Sequence, residues 1–121
     1  YYGDELPFGR TVDVQPHLII HYSLTTNDGK MVGWMGTGND WFTFIRDAFD
    51  MLYEEGATHP KVMSVGLHNR VIGHPARAMG LKRFLDYVMA KPEVWITRRI
   101  DIANHWVETH PYGGLGLNEE G

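Results

Sequence analysis

Residues 61–75 read KVMSVGLHNRVIGHP, and this stretch decides how the chain is expected to fold. Lys61–Leu67 is an apolar run of strand length, and Pro75 stands at the first-turn position of a helix that follows it. A strand that passes through a short loop into a helix is half of a βαβ unit. The histidine at its carboxyl end, His68, therefore lies where parallel sheets collect their ligands.

Strand and helix alternate on both sides of this stretch. Two further β-rich segments predict strands at His17–Ser23 and at Val94–Thr97. The first fifteen residues mix glycine, proline and carboxylates without periodicity, and we expect them to form a loop. Three parallel strands alternating with helices are too few to close a barrel, which needs roughly eight. The sequence thus predicts an α/β fold that is the last part of a larger (β/α) barrel.

The most regular helical pattern follows the first strand. It predicts a helix over Trp41–Glu55, which Asn39 or Asp40 would cap and Gly56 would end. Its apolar residues recur with the 3.6-residue period of one helix face. That face comprises Trp41, Ile45, Ala48, Phe49 and Leu52.

Two more helices are predicted downstream. One begins at Pro75 and ends before Pro92, and a shorter one lies near Asp101–Glu108. The apolar face of the longer helix comprises Ala78, Leu81, Phe84, Leu85 and Val88. The glycine-rich segment 112–121 is expected to be a flexible tail, so the barrel part would span residues 1–111.

Composition narrows the range of functions. The 121 residues carry a net charge of -4, which offers nucleic acid or an anionic membrane no basic stripe to bind. The chain has no cysteine, which rules out disulfides, thiolate metal sites and cysteine nucleophiles. No stretch approaches the roughly 18 apolar residues of a membrane span. The absence of cysteine fits a cytoplasmic protein, and neither nucleic acid nor a membrane is expected as a partner.

A carboxylate and an imidazole are predicted to meet at the mouth of the fold. Asp28 and His68 each follow the end of a predicted strand. If the strands are neighbours, the carboxylate would stabilise the imidazolium and fix the ring, giving a general acid suited to neutral pH. The alternative is that His68 only caps its loop and Asp28 belongs to an Asn-Asp-Gly turn. Spacing alone does not separate the two.

Three residues nearby are candidate substrate contacts. Arg70 and Arg77 flank the loop and could clamp an anionic or carbonyl-bearing substrate, although a salt bridge is the simpler role for Arg77. Trp34 lies in a polar, glycine-rich loop and could line a pocket. His17 and His21 would share a strand face but lie roughly 13 Å apart, too far to bind one metal ion. No metal site is predicted on this chain.

Three motifs resemble one known family. SVGLHNRVIGHPARAMGLKRFLDYV at residues 64–88 and VWITRRIDIANHW at 94–106 are similar to the C-terminal region of the polysaccharide deacetylase superfamily. Within that superfamily, the resemblance is to the branch that contains cofactor-independent allantoinases and cyclic imide hydrolases. GLHxR, G-x-P-x-R and RRIDIAxHW are fairly specific in combination, and the likeness extends back through residues 47–56 and 22–28 to GDELPF.

The resemblance implies a distorted (β/α) barrel that hydrolyses amide bonds. By position, His68 matches the general acid that protonates the departing nitrogen, and Asp28 matches the aspartate that tunes it. The family's metal ligands and catalytic base lie upstream of the residues present here. The chain alone is therefore not expected to be a competent enzyme; a second polypeptide would supply the N-terminal strands and hold any divalent metal, such as zinc. The apolar surface left by those strands also predicts self-association, giving a homo-oligomer.

Three functions remain open at this point. The leading hypothesis is ring opening of allantoin or a related cyclic amide, because Gly29 follows Asp28 where sugar deacetylases usually carry an aromatic residue. The second is deacetylation of an N-acetylated sugar polymer. The third is a non-catalytic assembly segment, in which His68 would be buried and bonded to backbone.

Overall fold

The computed structural model describes residues 6–23, 25–31 and 36–111. These residues form a mixed helix and strand structure, as the sequence predicts. The elements are β1 (Phe8–Val12), β2 (Gln15–Ile19), α1 (Asp28–Met31), α2 (Gly38–Glu55), α3 (Asn69–Ile72), α4 (Pro75–Met89) and α5 (Arg99–Thr109). The predicted tail at 112–121 lies outside the described residues. Among the described helices, none is both long and apolar enough to cross a membrane.

The amino-terminal segment is a β-hairpin rather than the predicted loop. β1 and β2 pair antiparallel, with Phe8 opposite Ile19 and Val12 opposite Gln15. The two residues of the turn, Asp13 and Val14, have φ values of 48° and 57°, the positive pair that a type I′ turn requires. The prediction of a strand at His17–Ser23 that pairs in parallel is therefore wrong in its bounds and its direction.

The other two predicted strands do not form a ladder. Residues 61–65 and 94–97 have no regular hydrogen-bonded partner within the described ranges. Within the described residues, a parallel bridge joins Asn27 and Gly66, closed by the bonds Asp28 N to Gly66 O (3.0 Å) and Gly66 N to Thr26 O (2.8 Å). A parallel strand is defined by its neighbours, so these segments need strands from outside the described residues to become a sheet. The barrel itself is not seen.

The helices follow the predicted pattern closely. α2 begins three residues before the predicted start, because Thr37 and Asp40 form a capping box: Thr37 Oγ1 accepts from Asp40 N (3.1 Å), and Asp40 Oδ2 accepts from Thr37 N (3.2 Å). Thr37 is thus the cap in place of Asn39 or Asp40. Gly56 ends the helix as predicted, and Pro75 opens α4 as predicted. These two helices carry most of the packing.

The core lies where α2 crosses α4. Trp41 and Phe49 of α2 make edge-to-face contacts with Phe84 of α4, at ring-centroid distances of 6.0 and 6.2 Å. The buried cluster comprises Met31, Trp41, Ile45, Phe49, Ile72, Phe84 and Val88. Leu85, predicted to face the core, is instead 38% exposed. The crossing brings the two backbones together at Gly38 and Gly80.

A hydrogen bond between the two helices gives a pH-dependent prediction. The Tyr87 hydroxyl donates to Asp50 Oδ1 at 2.5 Å, and this bond, with burial and the aspartate's charge, raises the pKa of Tyr87 above its ordinary 10.0. A raised pKa favours the neutral phenol, so its stabilisation is complete below the ordinary value and lost as the pH rises through the folded one. Tyr87→Phe should therefore cost about 1 kcal/mol near neutral pH.

That cost should shrink in strongly alkaline solution, where the tyrosine of the wild type ionises beside Asp50. Urea denaturation of both proteins near neutral pH and at about pH 11 measures the two differences. An equal difference at both pH values would show that the hydrogen bond does not link folding to the ionisation of Tyr87.

Candidate functional site

The site begins with a tightly bonded turn after β2. Ser23 Oγ accepts from the backbone N–H of Thr26 (3.0 Å), and Thr26 Oγ1 donates to the carbonyl of Ser64 (2.6 Å). Asn27 completes the turn, because its Oδ1 accepts from Gly29 N (3.0 Å) and its Nδ2 donates to the Tyr22 hydroxyl (2.5 Å). These side-chain bonds replace regular secondary structure and hold the start of α1 in place.

Asp28 and His68 meet at this point, 40 residues apart in sequence. Asp28 Oδ1 lies 2.7 Å from His68 Nδ1, and both carboxylate oxygens accept from His68 N, at 3.1 and 2.9 Å. The side chain of Asp28 is 1% exposed and that of His68 is 37% exposed. Because an ionised carboxylate only accepts hydrogen bonds, the proton of the neutral imidazole lies on Nδ1. The pair predicted from strand ends is therefore in contact.

This geometry leaves the second imidazole nitrogen available for chemistry. No described residue bonds to His68 Nε2, and the side chain is partly open to solvent. Such an imidazole accepts or delivers a proton at Nε2 while the carboxylate fixes its ring. The non-catalytic reading predicted a buried histidine that bonds to backbone rather than facing a cavity. The side chain is instead 37% exposed and bonds through Nδ1 to a carboxylate, although it lines neither cavity described below.

Gly29 lies directly against the imidazole. A Cβ atom at this position would stand 3.1 Å from His68 Cε1 and 3.3 Å from Nδ1. Contacts of that length are tighter than ordinary packing, so a larger side chain would press on the ring. The small residue after Asp28 thus keeps the histidine in place.

Two cavities border the site. The larger is an open cleft of about 490 Å³ at the first turns of α2 and α4, with the basic residues His74, Arg77 and Arg83 in its wall. The smaller is a cavity of about 20 Å³ whose wall includes Asp28, Trp41 and Arg77. Arg77 therefore faces both spaces. His68 is in the wall of neither.

The candidate substrate residues are placed differently from one another. Arg77 donates to the carbonyl of Val71 (3.3 Å) and borders the cleft. Among the described residues it forms no salt bridge, which was the simpler role considered from the sequence. Arg70 is exposed on α3 and borders neither cavity. Trp34 lies outside the described residues. The structure thus brings Arg77 near the Asp28 side of the pair.

The histidines of the hairpin are separated by their surroundings. His17 is exposed on β2, whereas His21 is buried with its ring 5.4 Å from that of Phe8. Across residues 6–23, 25–31 and 36–111, no three His, Cys, Asp or Glu side chains are grouped so as to hold a metal ion.

Trp41 is the residue of this site that sequence reasoning missed. Its apolar periodicity assigns it correctly to the core, where it is 4% exposed. The periodicity carries no information on where the indole N–H points, so nothing in the sequence places it beside Asp28. Thr37 was missed for a similar reason, because the capping box that fixes it is seen only in the structure.

Comparisons with known proteins give consistent matches. No family model matches the chain. A protein named putative polysaccharide deacetylase from Schizosaccharomyces pombe is 44% identical over 98 residues, which cover 78% of this chain and 31% of that protein. The chain thus spans about a third of the length of this curated relative.

Two crystal structures match over 92% of this chain and 38% of their own. One is a PuuE allantoinase, with 49% identity and a TM-score of 0.85. The other is a probable polysaccharide deacetylase from Pseudomonas aeruginosa PAO1, with 47% identity and a TM-score of 0.84. At this level of sequence and structural similarity, the chain belongs to the polysaccharide deacetylase superfamily and corresponds to part of the length of its members.

Proposed function

We propose that the chain is the C-terminal part of a hydrolase that acts on C–N bonds other than peptide bonds, and that it opens the ring of allantoin or a related cyclic amide. The observation that carries this proposal is the 2.7 Å contact between Asp28 and His68, with Nε2 of the same imidazole unbonded to described residues. Residues 1–111 form the barrel part, and residues 112–121 form a tail.

The pair supplies the proton that ring opening needs. His68 enters this step as the imidazolium, with one proton on Nδ1 facing Asp28 and a second proton on Nε2. Water adds to the amide carbonyl carbon, the C–N bond of the tetrahedral intermediate breaks, and the departing nitrogen takes the Nε2 proton, which leaves the neutral imidazole. Asp28 accepts the Nδ1–H hydrogen bond throughout, so the ring stays oriented while its charge changes. The base that deprotonates the attacking water belongs to the N-terminal half.

A small cyclic substrate is favoured by the residue that follows Asp28. Gly29 packs against the imidazole, where sugar deacetylases usually carry an aromatic residue that a polymer can stack on. The basic cleft suits the carbonyl groups of a hydantoin-like ring, with Arg77 in its wall as a candidate contact. Arg70 and Trp34 stay candidate substrate contacts on sequence grounds alone. Similarity to an allantoinase supports the same choice.

The rest of the barrel is proposed to come from a second polypeptide or segment. Trp95, Ile96 and Ile100 are 59%, 52% and 56% exposed beside an extended segment that lacks a ladder. Such an apolar surface favours association with other protein surfaces. We expect it to bind the strands of the N-terminal half first, and the resulting assembly to bind further copies of itself. A divalent metal such as zinc would be held by that N-terminal half, because the resemblance places the family's metal ligands upstream of this chain.

Deacetylation of an N-acetylated sugar polymer is the second candidate. It is supported by the names of two relatives, the proteins from Schizosaccharomyces pombe and Pseudomonas aeruginosa. The same proton transfer would serve this reaction. A secretion signal on the N-terminal half would favour it, whereas an intracellular N-terminus and a cytoplasmic location would favour the cyclic amide.

The deciding experiment begins with the native mass of the protein, followed by assays with allantoin and with an N-acetylglucosamine oligomer. We expect a second polypeptide that carries the early strands to co-purify and allantoin to be opened while the oligomer stays intact. Release of acetate from the oligomer alone would establish the second candidate instead. Stability of both substrates in the complete assembly would refute both hydrolase proposals.

A further inference from the structure

One buried donor in the core has no visible acceptor. Trp41 is 4% exposed, and its indole Nε1 has no hydrogen-bond partner among the described residues. Buried N–H groups are nearly always bonded to protein or to an ordered water molecule. The N–H of Trp41 therefore requires a partner that the neighbouring side chains do not provide directly.

Trp41 forms part of the wall of the smaller cavity. Its volume of about 20 Å³ holds a single water molecule, which needs roughly 10–15 Å³. Its wall includes the side chains of Trp41, Asp28, Thr37 and Arg77, and otherwise Met31, Val71 and Ile72. A buried water binds where it finds two to four polar partners, and this wall offers both donors and acceptors.

Asp28 has acceptor capacity to spare. Its two oxygens offer about four lone-pair directions, and three contacts from His68 are seen: Nδ1 to Oδ1, and the backbone N to both oxygens. The carboxylate is 1% exposed, so bulk water does not reach the remaining one. A water molecule in the adjoining cavity is a donor of the right size.

We infer that a water molecule in this cavity accepts from Trp41 Nε1–H and donates to the Asp28 carboxylate, which makes Trp41 a positioning residue for the Asp28–His68 pair. Its catalytic meaning rests on the proposed hydrolase function. The water holds the carboxylate in the rotamer that faces Nδ1, and the carboxylate holds the imidazole. The indole thereby acts on the proton donor without touching substrate.

The test compares two core variants in the protein used for the hydrolysis assay. Trp41→Phe removes the N–H and keeps an aromatic ring in the core. Phe84→Leu is the matched control, because Phe84 packs edge-on against Trp41 at 6.0 Å but has no polar atom. With ¹⁵N-histidine labelling, NMR above neutral pH reads the tautomer of His68 and the solvent exchange of its Nδ1–H.

In Trp41→Phe we expect a mixture of tautomers, Nδ1–H exchange about tenfold faster, and a kcat about tenfold lower at unchanged KM. Phe84→Leu should lower the melting temperature and keep the wild-type tautomer. Equal loss of the Nδ1–H signal in both variants, or no loss in either, would overturn the inference by showing that the indole acts only through packing.

A crystal structure of the wild type decides the matter even if Trp41→Phe fails to fold. It should show an ordered oxygen within hydrogen-bond distance of both Trp41 Nε1 and an Asp28 oxygen, and a dry cavity would refute the water. These readouts need no turnover. If neither allantoin nor the sugar oligomer is hydrolysed, the proposed function fails while the water and the tautomer are still measured.

Discussion

Replacing His68 with alanine is expected to lower kcat for ring opening by about 10²- to 10⁴-fold, the range by which a general acid accelerates a reaction. In the proposed reaction the imidazole delivers the proton to the departing nitrogen, and no other described side chain bonds to Asp28 in a way that could replace it. Its loss should leave the fold in place, because the side chain is partly exposed and outside the buried cluster.

The measurement is steady-state kinetics with allantoin on the complete assembly, with circular dichroism to confirm that the variant is folded. His59→Ala is the matched control, because His59 is also a partly solvent-facing loop histidine and bonds only to its neighbour Thr58 through its ring. It should keep wild-type kinetics. If His68→Ala kept kcat within about threefold of the wild type, His68 would not be the proton donor.

The second large effect is on stability, at the crossing of α2 and α4. In a helix interior, Gly→Ala normally stabilises by about 0.5–1 kcal/mol. Gly80→Ala should do the opposite and destabilise by about 1–3 kcal/mol, because the new methyl group would clash with the carbonyl oxygen of Gly38 and lie 2.9 Å from its carbon. The reversal of sign is the diagnostic result.

Chemical denaturation of the wild type and Gly80→Ala measures this difference. Gly36→Ala provides the control, since the nearest atom of the described residues to a Cβ there is Asp40 Oδ2 at 3.9 Å, and its effect should stay within about 0.5 kcal/mol. A Gly80→Ala protein as stable as the wild type would mean that the two backbones can separate at little cost.

The sequence was sufficient for the helices but not for the strands. The spacing of apolar residues in α2 and α4 is a local property of the sequence. Gly56 at the end of α2 and Pro75 at the start of α4 are also residue types that mark helix ends. The hairpin was missed because its turn is Asp13-Val14, and a β-branched residue at positive φ is not a turn signal. The parallel strands were overestimated because pairing depends on neighbours that a strand's own residues do not reveal.

For the candidate site, the pairing of Asp28 with His68 was predictable from the sequence, whereas its surroundings were not. Asp28 and His68 were predicted to meet because both follow strand-like segments, and the bridge between Asn27 and Gly66 brings those segments together. The neighbourhood of the pair was not predictable. Whether Arg77 borders a cavity, and which way the indole of Trp41 faces, depends on how α2 packs on α4, and side-chain direction at that level is set by tertiary contacts.

The bridge between Asn27 and Gly66 has a consequence for how this site can change over evolutionary time. Two backbone hydrogen bonds join the chain immediately before α1 to the chain immediately before His68, so the separation of the two side chains is set locally. The chain between Asn27 and Gly66 therefore begins and ends at the same bridge. Insertions or deletions within this segment can alter its length without moving the Asp28–His68 pair. Under the proposed function, substrate preference can therefore change over evolutionary time while the proton donor stays in place.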